Sequence, residues 1–194
     1  VQKEEGLFQF THKSFQEFLA SAEIKDLQLE GLLIQKIGDS WWDETIRLFA
    51  AQSDSSNLIF AALSFSNKDK LIHVLSLAYD CLEEGLSVQP VARAELEDAL
   101  DRGIESKDFS KFRLAVEVRL SRRLKNLIRV DESREIDTEL ITCAEYQLFI
   151  DERKREDKYF QPDHWSTYRF QAGQGKNPIL GIRALDAEEF CYWM

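Results

Sequence analysis

The sequence predicts a mainly α protein: a helical bundle or an array of helical hairpins, followed by a shorter α+β portion. Three observations carry this. Segments with apolar residues at helical spacing follow one another up to residue 130, separated by Gly, Asn, Pro or Ser-Lys breaks. Two Ser/Thr-x-x-Asp/Glu patterns mark helix starts. Beyond residue 130 the texture changes to a Gly-, Gln- and aromatic-rich stretch between two short helical patterns. The predicted units are therefore residues 1–130 and 131–194.

In chain order, the alternation in LFQF, Leu7 to Phe10, predicts a short strand. THKSFQEFLASAEI then places Phe15, Phe18, Leu19 and Ala22 at i, i+3, i+4 and i+7, one apolar helix face. After a Gly-Asp break, Ser40 and Asp43 have the spacing of a capping box, so a helix is expected to start there. Further helices are expected over Ser55–Ser64, Lys68–Glu84, Pro90–Asp101 and Asp108–Ile128. Pro90 suits a first turn, where its missing amide would have had no partner. No fixed period certifies a named solenoid. VDESREID is a charged connector expected to hold a short strand. In LITCAEYQLFI, Thr142 and Glu145 form a second capping-box pair, and Tyr146, Phe149 and Ile150 share a face. Residues 159–176 read as a long structured loop, and the final helix is expected to align Ala187, Phe190, Cys191 and Met194.

Composition bounds the function. A chain of 194 residues, 44% of them hydrophobic, is large enough to bury a sizeable core. Its 25 Lys plus Arg against 35 Asp plus Glu give a net charge of -10, which repels phosphate backbones unless the basic residues cluster. Nucleic acid is therefore not the expected partner. The one candidate cluster is RLSRRLKNLIR, with Arg119, Arg122, Arg123, Lys125 and Arg129 near the end of a long helix. A solvated face that meets the negative end of the helix dipole and pairs with neighbouring acids accounts for it better than a phosphate surface does. Cys81, Cys143 and Cys191 lie far apart, without CxxC or a partnering His spacing, so neither a zinc site nor a disulfide framework is encoded. No apolar run approaches the ~18 residues of a membrane span. A cytoplasmic protein with no membrane partner is expected. The start, VQKEEGLFQF, and the end, FCYWM, read as cuts through a larger protein.

Two stretches resemble known families. LFQFTHKSFQEFLAS, residues 7–21, resembles the segment that follows the nucleotide-binding core in NACHT proteins of the STAND NTPase class. Their F-x-H-x-x-F-Q-E-(F/Y)-L-A pattern is matched by Phe10, His12, Phe15, Gln16, Glu17, Phe18, Leu19 and Ala20. The resemblance implies an upstream P-loop ATPase module of the same protein, with ATP and Mg held there, and a nucleotide-state-sensing place for His12. A structural role for His12 at the helix start is the alternative. No G-x-x-x-x-G-K-(S/T) occurs in the chain. LITCAEYQLF is similar to the (E/Q)-V-T-x-x-x-Y-x-x-F signature that opens formylglycine-generating-enzyme-like domains, also called sulfatase-modifying-factor-like, which have a C-type-lectin fold. Ile141, Thr142, Tyr146 and Phe149 match it. NPILGIRALDAEEFCYWM is similar to a second stretch of that family at Pro178, Ile179, Ile182, Asp186, Ala187, Phe190, Cys191 and Trp193. Arg183 and Ala184 depart from it, so the amide cap of that helix must come from elsewhere. The resemblance covers residues 134–194, the opening part of such a domain. It implies a partial C-type-lectin fold, places Cys191 at a buried position rather than in the catalytic pair, and leaves calcium to loops that this chain lacks. The joined arrangement resembles multidomain bacterial, particularly cyanobacterial, proteins.

No catalytic motif stands out. His12, His73 and His164 are the only histidines, and none has another ligand-type residue at i+4. No nucleophile elbow is present, and Glu83/Glu84 and Glu188/Glu189 are adjacent and point apart on a helix. The aromatic loop is the candidate binding surface, with His164, Trp165 and Tyr168 as ligand-contacting residues. The competing account has Trp165, Tyr168 and Phe170 filling the core beneath the loop. The expected function is a non-catalytic sensor and scaffold segment without catalytic, cofactor or metal residues of its own, coupling helices to a lectin-like module for a protein or small ligand, with oligomerisation open to it. The alternatives are a truncated formylglycine-generating-type oxidoreductase, the variable ligand-displaying end of a diversity-generating retroelement target, and, more weakly, a nucleic-acid-binding array.

Overall fold

The computed structural model describes the backbone of residues 2–4, 7–8, 10 and 12–194, and the side chains of 10 and 12–194. Among these are nine α-helices: α1 (Lys13–Asp26), α2 (Glu30–Lys36), α3 (Asp43–Ala50), α4 (Ser56–Leu63), α5 (Leu71–Glu84), α6 (Pro90–Ile104), α7 (Phe109–Lys125), α8 (Cys143–Lys154) and α9 (Ala184–Trp193). Two 3-10 turns, Ser40–Trp42 and Lys68–Lys70, and two antiparallel strand pairs, β1 (Gln2–Glu4) with β2 (Leu7–Phe8) and β3 (Ile128–Arg129) with β4 (Glu135–Ile136), complete the description. The protein is mainly helical. Of the strand expected over residues 7–10, Leu7 and Phe8 form β2, and Gln9 lies outside the described residues. Compactness divides the chain into residues 1–97 and 98–194, within α6, whereas the change of sequence texture falls at residue 131.

In the first unit α1 packs on α3, but not through the face its apolar residues suggest. Phe15, Phe18 and Leu19 are exposed, Ala22 is half-buried, and Glu17, Ser21 and Ile24 are buried. Ser21 explains the rotation: its hydroxyl donates to the Phe18 carbonyl at 2.7 Å and accepts from Gln52 Nε2 at 3.1 Å. A small, fully bonded residue thus occupies the contact. The Ser40/Asp43 capping box is also corrected. Asp39 accepts from the Trp41 amide at 3.2 Å and opens a 3-10 turn over Ser40–Trp42. Helix α3 begins only at Asp43, whose carboxylate instead faces His73 Nε2 at 3.1 Å.

Leu33, Ile46, Phe49, Ile59, Val74 and Leu77 are buried in this unit's core, where α3, α4 and α5 meet. Cys81 joins them, 1% exposed, and burial pushes its thiol up to about 12, so it packs rather than reacts. Arg47 grips Glu84 at 3.1 and 2.5 Å, tying α3 to the end of α5.

In the second unit α6 continues to Ile104, past the expected Asp101, because its last turn carries a close helix contact. A Cβ built on Gly103 would stand 2.5 Å from the Ala115 methyl of α7. That methyl has no torsion by which to retreat. Gly103→Ala is therefore expected to destabilise the chain by about 1–3 kcal/mol despite alanine's better helix propensity. Denaturant unfolding checks this, and a stabilised variant would contradict the contact.

Asp108 caps α7 through the amides of Ser110 and Lys111 at 2.9 and 3.4 Å. The helix ends at Lys125, short of the expected Ile128, since Ile128 pairs with Ile136 in the hairpin. On α9 the buried positions are Asp186 and Phe190, with Trp193 half-buried, and Cys191 is exposed. The expected row through Ala187 and Cys191 is thus displaced, because Phe190 and Trp193 are the side chains that meet Phe149 of α8.

Candidate functional site

The site is built on α8. Its capping box forms as the spacing predicts: Thr142 Oγ1 accepts from the Glu145 amide at 3.4 Å, and Glu145 Oε2 accepts from the Thr142 amide at 2.7 Å. The next two orphan amides are taken by the loop. Cys143 N–H donates to the Asn177 carbonyl at 2.8 Å, and Ala144 N–H to the Gly175 carbonyl at 2.9 Å. Every amide of the helix's first turn is thereby satisfied, and the loop's end is anchored by the same bonds. Ile179 N–H to Ile141 O at 2.8 Å continues the pairing across the Thr142–Pro178 bridge.

Glu145 has a second role. It is 1% exposed, and Arg123 of α7 reaches it with Nε at 3.2 Å and Nη2 at 3.1 Å. The same guanidinium donates to Asp137 at 2.6 Å, to the Glu139 carbonyl at 3.0 Å and to the Leu140 carbonyl at 3.2 Å. Five acceptors thus meet its five N–H groups. Burial alone would lower its pKa, but the Asp137 hydrogen bond and the charges of Glu145 and Asp137 outweigh this and hold it above the ordinary arginine value. Nothing in the sequence distinguished Arg123 from its basic neighbours. Arg119 stands 3.9 Å from Glu145, and Arg129 bonds the carbonyls of Asp131 and Glu132. Arg119, Arg123 and Arg129, which were considered for phosphate, are therefore engaged within the chain, and neither Arg122 nor Lys125 is free.

Beneath the loop, Tyr146, Phe149, Ile150 and Phe190 form a buried cluster, against which Phe160, Trp165, Tyr168 and Trp193 pack. Tyr146 donates its hydroxyl to the Phe160 carbonyl at 3.1 Å, and burial raises its pKa. Gln147, 1% exposed, donates to Asp151 at 2.9 Å and accepts from the Phe170 amide at 3.3 Å. Burial in turn raises the Asp151 pKa. The loop is thus stitched to α8 at Phe160, Phe170, Gly175 and Asn177.

Above this base lies a cleft of about 140 Å³ lined by His164, Trp165, Thr167, Arg169, Gln171 and Gln174, among others. Its lining offers the donors and acceptors of an imidazole, two hydroxyls, two amides and a guanidinium, beside one indole. Groups of this kind can hydrogen-bond a small polar ligand. His164 is exposed and rests on Gly181, where a Cβ would come within 2.8 Å of its Nδ1. Trp165 is half-buried, with its ring 6.4 Å from Phe170. Of the residues singled out in the sequence, His164 and Trp165 meet at this cleft. Tyr168 instead joins the core: its hydroxyl donates to the Ile150 carbonyl at 2.9 Å, burial pushes its pKa up to about 12, and Lys154 covers its ring at 3.9 Å. His12 belongs to the first unit, exposed at the N-terminal cap of α1, with its ring 5.9 Å from Phe15.

The loop is also fixed to the helices before α8. Glu105 accepts from the Gly173 and Gly175 amides, both at 2.9 Å, and Arg169 donates to the Ser106 carbonyl at 2.7 Å. Lys176 pairs with Asp101. The Arg169 guanidinium lies 4.6 Å from the Phe112 ring centre and 5.2 Å from that of Phe170. Sequence reasoning missed Glu105, whose only local signal is its place at the end of a helix. Among the described residues no group of three His, Cys, Asp or Glu side chains is placed to hold a metal ion, and no helix is long and apolar enough to cross a membrane. Comparison with protein-family models, with curated proteins and with solved structures finds no match to this sequence.

Proposed function

We propose that this chain is a non-catalytic sensor and scaffold segment of a cytoplasmic STAND-type NTPase, in which the loop around His164 and Trp165 is the recognition surface and the preceding helices carry its state onward. The observation that supports this is the double attachment of the loop. It is bonded to α8 through Cys143 and Ala144, and to the end of α6 through the Glu105 carboxylate. A ligand that reorders the cleft changes the free energy of those bonds, and a bistable helical array would register the change. The lectin-like character of residues 134–194 rests on the two sequence signatures, with the capping box at Thr142 and the aromatic cluster around Phe149 as the features in keeping with them.

Amide hydrogen exchange tests the coupling. Glu105→Ala removes the acceptor of two glycine amides, so exchange at Gly173 and Gly175 should quicken by about tenfold or more. The coupling reading expects the increase to extend into α6 and α7. An increase confined to Gly173 and Gly175 would defeat it. A screen of saccharides and peptides read on the His164 and Trp165 ring resonances tests recognition, and ligands that move neither ring speak against this cleft.

A further inference from the structure

We propose that the cleft between α1 and the Ser40–Trp42 turn binds an alkylammonium group, the cationic head of a lysine-type side chain or of a free primary amine, which displaces the chain's own Lys13. The cleft, of about 80 Å³, is lined by Lys13, Gln16, Glu17, Trp41, Trp42 and Thr45, among others. That exceeds the roughly 30 Å³ occupied by one water in the liquid.

Glu17 supplies the charge. It is 7% exposed, and Lys13 Nζ stands 2.8 Å from its Oε1. The two form an ion pair, so the buried carboxylate holds an ammonium head. A carboxylate at this depth needs such a cation, whichever molecule supplies it. The ring faces point to the same ligand. Trp41 is 60% exposed, and Lys13 Nζ lies 4.3 Å from its ring centre; Lys36 Nζ lies 5.6 Å from that of Trp42. Indole faces attract cations, and both already hold one.

The arrangement discriminates among ligand classes. An anion meets the Glu17 carboxylate at close range, and a neutral apolar group leaves Oε1 without a donor. A quaternary ammonium satisfies the rings but brings no N–H to Glu17, so it should bind less tightly than a primary ammonium. Lys13 is the resident occupant, but its side chain is 49% exposed and can withdraw its head into water.

An internal competitor lowers apparent affinity by the fraction of time it holds the site. Lys13→Met keeps the stem's bulk and removes the charge, so n-butylamine and Nα-acetyl-lysine methylamide should bind this variant about tenfold more tightly than the wild type. Shifts of the Trp41 and Trp42 indole N–H resonances would report the binding. Adding Glu17→Gln should abolish the gain, and Trp41→Leu, at an exposed position, should weaken binding about three- to tenfold. Tighter binding of the lysine derivative than of butylamine identifies a polypeptide ligand, and equal binding identifies the ammonium head alone. If neither amine moves the indole resonances of folded Lys13→Met, or if Trp41→Leu leaves amine binding unchanged, the site does not exist as described. Should Lys13→Met fail to fold, the Trp41→Leu comparison in the wild-type background decides the matter alone.

Discussion

Arg123→Met is expected to destabilise the chain by about 3–5 kcal/mol, a larger effect than any other single charge removal in the second unit. The loss does not come mainly from the attraction itself, since a buried ion pair recovers little beyond its desolvation cost. It comes from what is left behind. Glu145, 1% exposed, would lose its bidentate partner, and the Glu139 and Leu140 carbonyls would lose their donors. The paired change Arg123→Met with Glu145→Gln should therefore be less damaging than Arg123→Met alone, by about 1–3 kcal/mol, because it removes the carboxyl left without that partner and keeps an acceptor for the Thr142 amide. Urea unfolding of the two variants measures the difference. A double variant as unstable as the sum of its parts would show that Arg123 and Glu145 act independently.

The pH dependence of this contribution follows from its direction. Arg123 has a folded-state pKa above its ordinary value, so its stabilisation is fully present below the unfolded value and is lost only as pH rises through the folded one. That window lies in strongly alkaline solution, so deprotonation of Arg123 does not modulate the clamp near neutrality.

Features fixed by short-range chemistry were legible in the sequence. The Thr142/Glu145 box formed where its spacing predicts, although the same spacing at Ser40 and Asp43 gave none because Asp39 opens a 3-10 turn there, and Tyr146, Phe149 and Ile150 are buried together with every other residue from Cys143 to Ile150. Features fixed by depth were not. Arg119 to Arg129 reads as one basic stretch, yet only Arg123 meets Asp137, Glu139, Leu140 and Glu145 at once, and these acceptors arrive from a hairpin and a helix start whose positions no local pattern encodes. Helix α1 shows the converse. Its spacing identified a helix, but the assumption that its apolar stripe faces inward failed where Ser21 allows closer approach than a phenylalanine would. At the candidate site, His164 and Trp165 were visible as an aromatic, polar cluster. Glu105 was not, because an exposed-looking acid at a helix end gives no sign that two glycine amides far along the chain will meet it.

Phe149→Ala is expected to cost about 3–5 kcal/mol and to loosen the loop as a unit. The ring is fully buried and is the hub of the aromatic cluster, with centroids 5.4 Å from Tyr146, 5.0 Å from Phe160, 5.5 Å from Phe190 and 5.6 Å from Trp193. These partners come from α8, the loop and α9, so truncation removes contacts to three segments together. Phe149→Leu keeps most of the apolar volume and should cost less, about 1–2 kcal/mol, with the difference reporting the void. The near-ultraviolet circular dichroism of the surrounding rings should fall in the alanine variant while the helical signal persists. Tyr146 holds the Phe160 carbonyl and Tyr168 the Ile150 carbonyl, so a cluster that loses Phe149 should also release these two hydroxyls. If instead the alanine variant loses less than about 1 kcal/mol, the loop's order comes from its hydrogen bonds to Glu105, Cys143 and Ala144, and the aromatic rings only cover what those bonds already fix.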